Sequence, residues 1–266
     1  MASQITTTLK LQNVTTGYRQ KGHKTPIGKG YTATLPDSSL TSLLGVNGSG
    51  KSTLLRSLSK SQDILGGEIL IGDRNIASIP NSEIGKLIGI VLTDRVDSPN
   101  MSVYELLTLG RAPYNNFWGK LSKEDVRIVN EAMDCIGITD LKNRKVCSLS
   151  DGERQKVMIA KTLAQQTPVI LLDEPTAFLD YPSKLELMML MRRLAHENNK
   201  TILLSTHDIP LAMQISDNIW LVDNDRKLIT GTPDELGTGG YIGSCFNREG
   251  VTYDHSTYTF KQSVTN

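Results

Sequence analysis

The sequence has no apolar stretch approaching the roughly 18 to 20 residues that span a bilayer. Runs such as Val169 to Leu172 and Leu187 to Met191 are far shorter, so the chain is not expected to cross a membrane alone. It also lacks a dominant charge. Twenty-nine Lys and Arg stand against 28 Asp and Glu, for a formal net charge of +1, and such a balance gives no support to a surface built for nucleic acid or anionic lipid. Cysteine is scarce. Cys135, Cys147 and Cys245 form no CxxC pair and no His/Cys cluster, so reduced thiols are expected rather than a disulfide or a zinc site. The opening residues, Met1-Ala2-Ser3-Gln4-Ile5-Thr6, have neither the basic start nor the apolar segment of a secretory signal, and cytoplasmic residence is the expectation.

Short β-rich runs alternate with amphipathic helical ones over the 266 residues, the pattern of a mostly parallel sheet flanked by helices. Strands are expected at Leu9 to Val14, Leu40 to Leu44, Glu68 to Ile71, Leu87 to Leu92, Val169 to Asp173, Thr201 to Ser205 and Asn218 to Asp223. Between them, Ser102 to Arg111 and Ser122 to Ile136 carry helical periodicity without an intervening strand. The spacing of Ser122 and Asp125 marks a helix start. The division that follows is an α/β core of residues 1–92 and 150–236, an inserted helical subdomain of 93–149, and a C-terminal extension of 237–266. Pro182 suits the first turn of a further helix with Leu185, Met188, Met191 and Leu194 on one face. The basic, Gly-containing stretch Arg19 to Gly30 reads as a solvated loop.

Gly45-Val46-Asn47-Gly48-Ser49-Gly50-Lys51-Ser52 fits GxxxxGK[ST] between an apolar strand and a helix expected from Ser52 to Leu58, with Thr53 in its first turn. Glycines let successive N–H groups turn toward phosphate oxygens, and the helix start adds positive potential. In this motif Lys51 reaches the β- and γ-phosphates and the Ser52 hydroxyl ligates Mg²⁺. A Gly-rich turn before a surface lysine would share the composition, but not the strand and helix on either side. Val169-Ile170-Leu171-Leu172-Asp173-Glu174 is an apolar strand ending in two carboxylates, at the sheet edge where α/β folds bind ligands. Asp173 is the candidate Mg²⁺ partner, directly or through water, and Glu174 the candidate base for the attacking water. An acidic pair alone is often merely solvated; with the phosphate motif upstream it acquires a role.

Between these motifs, Ser148-Leu149-Ser150-Asp151-Gly152-Glu153-Arg154-Gln155 resembles the LSGGQ signature of ABC ATPases. The order and spacing of the motifs resemble that family over residues 9 to 236. The resemblance implies the P-loop NTPase fold with an inserted helical subdomain, bound ATP and Mg²⁺, and a head-to-tail dimer. Each ATP would lie between one subunit's phosphate loop and the partner's signature, with Ser150 and Gly152 contacting phosphate. The S-x-x-E spacing of Ser150 and Glu153 independently marks a capping box, hence a helix start.

Tyr18 resembles the aromatic that stacks on adenine, although a tyrosine there could simply cover a sheet edge. Ala177-Phe178-Leu179-Asp180 resembles the D-loop, and Ser205-Thr206-His207-Asp208 the segment with the switch histidine. His207 is then a catalytic candidate, against the alternative of a satisfied loop histidine. Met101 to Tyr114, with Leu109-Gly110-Arg111-Ala112-Pro113-Tyr114, is similar to ABC importers for iron-siderophore, haem and cobalamin, as more weakly is the tail around Cys245-Phe246 and Tyr253-Asp254. Membrane permease subunits and an extracytoplasmic binding protein are the implied partners, with the chain peripheral on the inner face of the membrane.

Three positions depart from the pattern. Thr93 stands where a metal-reaching glutamine is usual, Asp151 where glycine is usual, and Glu153 where glutamine is usual. If φ is positive at Asp151, Asp is among the better non-glycine choices, but a carboxylate near triphosphate adds repulsion unless it turns outward. A soluble ABC ATPase outside transport, or a regulatory ATP-binding module, is the alternative. No second cassette, long coiled coil, zinc-binding cysteines or basic surface supports the first, and Lys51, Ser52, Asp173, Glu174 and His207 oppose decay to the second.

Overall fold

In the computed structural model, residues 8–20, 23–92, 100–115 and 120–262 are described. Strands β1 (Leu9–Gln20) and β2 (His23–Leu35) precede β3 (Leu40–Gly45) and helix α1 (Lys51–Leu58). β4 (Gly66–Ile71), β5 (Arg74–Asn75), α2 (Asn81–Leu87) and β6 (Ile88–Val91) follow. A helical section holds α3 (Val103–Thr108), a 3-10 stretch Leu109–Tyr114 and α4 (Lys123–Ile136), and α5 (Asp151–Ala164) leads into β7 (Val169–Leu172). α6 (Tyr181–Glu197), β8 (Thr201–Ser205), α7 (Ile209–Ile215), β9 (Asn218–Val222) and β10 (Leu228–Gly231) come next. α8 (Pro233–Thr238), α9 (Tyr241–Phe246), β11 (Val251–Asp254) and β12 (Thr259–Gln262) are last.

The central sheet has the order β10-β9-β3-β8-β7-β6. All its pairings are parallel except that of the edge strand β10. Both faces are covered, and successive residues of one strand enter different cores. Ile170 and Leu172 of β7, with Ile202 and Leu204 of β8, pack with α3, α4, α5 and α6. Val169, Leu171 and Leu203 pack instead with α1 and the antiparallel sheet β2-β1-β4-β5. Two-sided burial is why these strands read as uninterrupted apolar runs. A third cluster joins Leu44, Ile219 and Leu221 to α7, to Leu236 of α8 and to Ile242 and Cys245 of α9, with Tyr253 and Phe260 of the β11–β12 hairpin packed on it.

Within the stretch read as a loop from Arg19 to Gly30, residues 19–20 and 23–30 instead belong to the paired strands β1 and β2, with Gly28 opposite Thr16, a register shift between Thr16 and Gly17, and pairing onward to His23 opposite Gln20. Their backbone is paired while His23, Lys24 and Thr25 are exposed, so the alternation that reveals a strand begins only at Tyr31, Ala33 and Leu35, all buried. The strand expected from Leu87 starts one residue later, because α2 runs through Leu87. Asp173 and Asp223 fall just past the ends of β7 and β9. The helix expected to Arg111 gives way after Thr108 to the 3-10 stretch that accommodates Pro113. Capping boxes at Ser102–Glu105, Ser122–Asp125 and Ser150–Glu153 start α3, α4 and α5. Met188 and Met191 are core residues of α6, whereas Met189 is exposed. Among the described residues the three cysteines are free, and no helix is long and apolar enough to cross a membrane.

Arg111 ties the helical section to the end of α5. It is buried, its Nε donates to Asp125 Oδ1 at 2.8 Å, and one terminal nitrogen donates to Ala164 O at 2.8 Å and Gln166 Oε1 at 3.2 Å. The Tyr114 ring lies 4.1 Å from the guanidinium carbon. Asp125 is held down to about 2, first by the Ser122 hydroxyl, then by Arg111 and the Ser122 N–H. Removing one partner of a buried pair strands the other. Asp125→Ala is expected to destabilise the fold by about 3 kcal/mol in urea unfolding. Because folding lowers the Asp125 pKa from its ordinary 3.8, this stabilisation is complete above that value and fades as pH falls toward 2. Asp125→Asn should flatten the stability profile over that window.

Candidate functional site

Parallel register brings three neighbouring strand ends together. β3 and β8 are aligned so that Leu43 faces Ser205, and β8 and β7 so that Leu204 faces Leu172. The chain therefore leaves β3 into residues 45–50, β7 into Asp173 and Glu174, and β8 into Thr206 and His207, all at one edge.

The loop after β3 is shaped by glycine and by α1. Gly45 has φ +156°, and a Cβ there would lie 2.7 Å from Ser49 Oγ and 2.9 Å from Val222 O. Gly50, at φ +101°, is the left-handed residue before α1, and a Cβ would strike Ile27 Cγ2 at 2.5 Å. Gly50 supplies no side-chain cap, leaving the first-turn N–H groups of α1 to a ligand. Lys51 is buried and donates to Gly45 O at 2.9 Å and Val46 O at 3.5 Å. Burial lowers its pKa, while the Glu174 and Asp173 carboxylates act in the opposite direction. Ser49 Oγ, also buried, has no hydrogen-bond partner.

Asp173 is 1% exposed. Its Oδ1 accepts from Ser205 Oγ at 2.6 Å, and its Oδ2 is buried without a partner. A buried carboxylate oxygen left free in this way fits a hard cation, which takes oxygen ligands and retains waters. Glu174 has the left-handed φ of +49°, its N–H donates to Ser205 Oγ at 2.9 Å, and its Oε2 is 2.7 Å from His207 Nδ1. His207 itself is solvent-accessible, with 56% of its side chain exposed.

A cleft of about 360 Å³ is lined by Tyr18, Ile27, Asn47, Gly48, Gly50, Lys51, Ser52, Thr53 and Glu174. Tyr18 Oη lies 3.2 Å from Thr53 Oγ1, which fixes the half-exposed ring beside the phosphate loop. Ile27 belongs to the hairpin segment read as a loop, where it is an isolated apolar side chain between Pro26 and Gly28. Val46 lies in the same loop as the lining residues.

Ser150, Gly152 and Asp180 do not line this cleft. Ser150 Oγ accepts from the Glu153 N–H at 3.2 Å at the start of α5, and a Cβ at Gly152 would lie 3.3 Å from Phe178 O, so the signature and the D-loop-like segment are packed together. Asp180 caps α6 by accepting from the Ser183 N–H at 3.1 Å, and the Ser183 hydroxyl first, then that N–H, lower its pKa. Phe178 and Tyr181 on either side are 54% and 59% exposed. Asp151 is simply the first residue of α5 and has no positive φ; an acidic residue suits a helix start. Thr93 lies outside the described residues.

A strand, a glycine-rich loop opening a helix, and acids at the next strand ends but one define a nucleotide-binding α/β protein of the P-loop class. The family model described as ABC transporter matches residues 29–177, and the chain belongs to that family as an ATP-hydrolysing subunit. It is 36% identical over 214 residues, 80% of this chain and 78% of the relative, to the probable siderophore transport system ATP-binding protein YusV of Bacillus subtilis. Among solved structures it is similar to a metal-chelate type ABC transporter in an inward-facing conformation, with TM-score 0.76, 26% identity and coverage of 90% and 88% of the two chains. It is also similar to the dimeric post-hydrolysis state of the ATP-binding cassette MJ0796 bound to ADP and Pi, with TM-score 0.75, 27% identity and coverage of 85% and 98%.

Lys51→Ala removes the buried cation that donates to the loop's own carbonyls. ATP hydrolysis is expected to fall by about 10²- to 10³-fold with an unchanged circular-dichroism spectrum.

Proposed function

We propose that this subunit drives import of an iron-siderophore complex, with haem and cobalamin as the related cargoes, through membrane permease subunits fed by an extracytoplasmic binding protein. The observation that carries the ATPase chemistry is the meeting of the phosphate loop with Asp173, Glu174 and His207 at three adjacent strand ends. The cargo is supported by the siderophore-transport relative and the metal-chelate type transporter of similar structure, together with the Leu109–Tyr114 stretch. The subunit would lie on the inner face of the membrane, its residues 93–149 forming the inserted subdomain and 237–266 an extension.

The backbone of residues 45–50 and Lys51 hold the triphosphate, Thr53 and Tyr18 the nucleoside end, with Tyr18 against the adenine. Ser52, Asp173 and, through its hydroxyl, Thr93 are the residues that would hold Mg²⁺; when bound, the ion neutralises phosphate charge. Glu174 accepts a proton from a water whose oxygen bonds to the γ-phosphorus as the bond to the β,γ-bridging oxygen breaks. His207, hydrogen-bonded to Glu174, keeps that carboxylate oriented and senses the γ-phosphate. Ser150, Gly152 and Asp180 act on the second ATP, in the partner copy. Exposed Phe178 and Tyr181 beside Asp180 are the kind of surface such a head-to-tail contact would cover.

Glu174→Gln should bind MgATP, hydrolyse it at least about a hundredfold more slowly, and accumulate as an ATP-dependent dimer in size-exclusion chromatography. Hydrolysis at the wild-type rate, with monomer only, would move the base elsewhere. For the cargo, purification of the tagged subunit from solubilised membranes should bring down a polytopic permease. Ferric-siderophore uptake should cease in a strain carrying only Lys51→Ala, and unchanged uptake would refute the siderophore as its cargo.

A further inference from the structure

We propose that Ser205, the last residue of β8, is the positioning residue that divides labour between the two carboxylates of the site; this rests on the roles proposed above for Asp173 and Glu174. Ser205 is fully buried. Its hydroxyl makes two contacts, 2.6 Å to Asp173 Oδ1 and 2.9 Å from the Glu174 N–H. A hydroxyl has one proton, and an ionised carboxylate can only accept. The proton therefore goes to Asp173, and a lone pair of the same oxygen receives the Glu174 amide.

The strand register explains why this residue is the one in place. Leu172 faces Leu204, so Asp173 and Ser205 are the next pair across, where β7 has already ended. On its other side Asp173 is still in line, its N–H donating to Val91 O of β6 at 2.8 Å. Toward β8 the side chain of Ser205 takes over from the backbone ladder. That substitution lets the chain turn at Glu174 into a φ of +49°, a conformation unfavourable for a residue with a long side chain. The turn directs the Glu174 carboxylate to His207, at 2.7 Å, and away from Asp173.

Two consequences follow for the chemistry. Asp173 Oδ1 already accepts the serine proton, so the unpartnered Oδ2 is the oxygen that would be offered to a cation. Glu174 is held through its own amide at the residue whose φ turns positive, so its carboxylate is placed before substrate arrives. Without the hydroxyl, Asp173 regains a choice of oxygens and Glu174 loses the bond that holds its backbone in the left-handed region. Groups that orient metal-ligating carboxylates characteristically contribute 10- to 100-fold to metal affinity or activity.

The test compares full-length wild type with Ser205→Ala and Ser205→Thr. It measures kcat, KM and the affinity for a fluorescent ATP analogue with Mg²⁺ and with EDTA. For Ser205→Ala, kcat is expected to fall by about 10- to 100-fold, and the gain in analogue affinity that Mg²⁺ provides over EDTA to shrink about tenfold, while the affinity in EDTA stays unchanged. Ser205→Thr, which keeps the hydroxyl, should recover most of both. If Ser205→Ala does not fold, Ser205→Cys fills the site with only a weak S–H donor and carries the same expectations. A folded Ser205→Ala or Ser205→Cys protein with lowered melting temperature but wild-type kcat and Mg²⁺ gain would show a purely structural serine and overturn the proposal. Glu174→Gln, measured alongside, separates this from failure of the underlying reading: if it hydrolyses normally, the carboxylate roles are wrong, whereas if it stalls while Ser205→Ala is normal, only the role of Ser205 is.

Discussion

Two-sided burial of β3, β8 and β7 is the constraint on which the rest of the molecule depends. Each of these strands sends alternate side chains into different cores, so none can slip by a residue without exchanging those faces. Fixed register in turn fixes which residue stands at each strand end. The phosphate loop, the two acids and the histidine sit where the hydrogen-bond ladder stops and polar groups first become available. The chemistry is thus positioned by apolar packing that itself makes no contact with nucleotide.

What the strand ends hold is costly for a protein without its ligand. Glu174 is left-handed, Lys51 is buried with a lowered pKa, and Ser49 Oγ and Asp173 Oδ2 are buried without partners. Each would be unfavourable in an ordinary core. A bound triphosphate offers acceptors for the hydroxyl and the ammonium, and a divalent cation suits the free carboxylate oxygen. Ser49 Oγ and Asp173 Oδ2, two of the buried polar atoms without a protein partner, thus stand where a highly charged ligand would meet them.

Much of this is legible in the sequence. Val169–Leu172 and Thr201–Ser205 read as strands because they are buried on every side, and the capping spacing of Ser150 and Glu153 marks the start of α5 where the structure has it. Residues 45–52 carry a motif whose glycines are demanded by backbone angles and close contacts, as at Gly45 and Gly50. The β2 hairpin is not legible, because its outer half is held by backbone pairing under polar side chains, and the Ile27 that lines the cleft is hidden with it. Ser205 is invisible for another reason. A serine closing an apolar strand has no signature, and its importance arises only when register sets it opposite Asp173. The Glu174 backbone angle is likewise a property of two strands ending side by side, not of residue order. At Asp151 local sequence misleads in the opposite direction: the glycine usual there suggests a special angle, and the chain shows an ordinary first helical residue.

Hydrogen exchange with and without MgATP tests the strand-end site most directly. In the Glu174→Gln protein, MgATP should slow exchange in peptides covering residues 45–58, 173–180 and 205–208, with smaller effects in the outer half of the β1–β2 hairpin around Ile27. The same protection should be absent with Lys51→Ala. A wider groove of about 690 Å³ lies elsewhere, between α6 and α7, lined by Leu185, Met189, Arg193 and Gln214 among others. Protection confined to that groove, with the strand ends unchanged, would contradict the placement of the nucleotide.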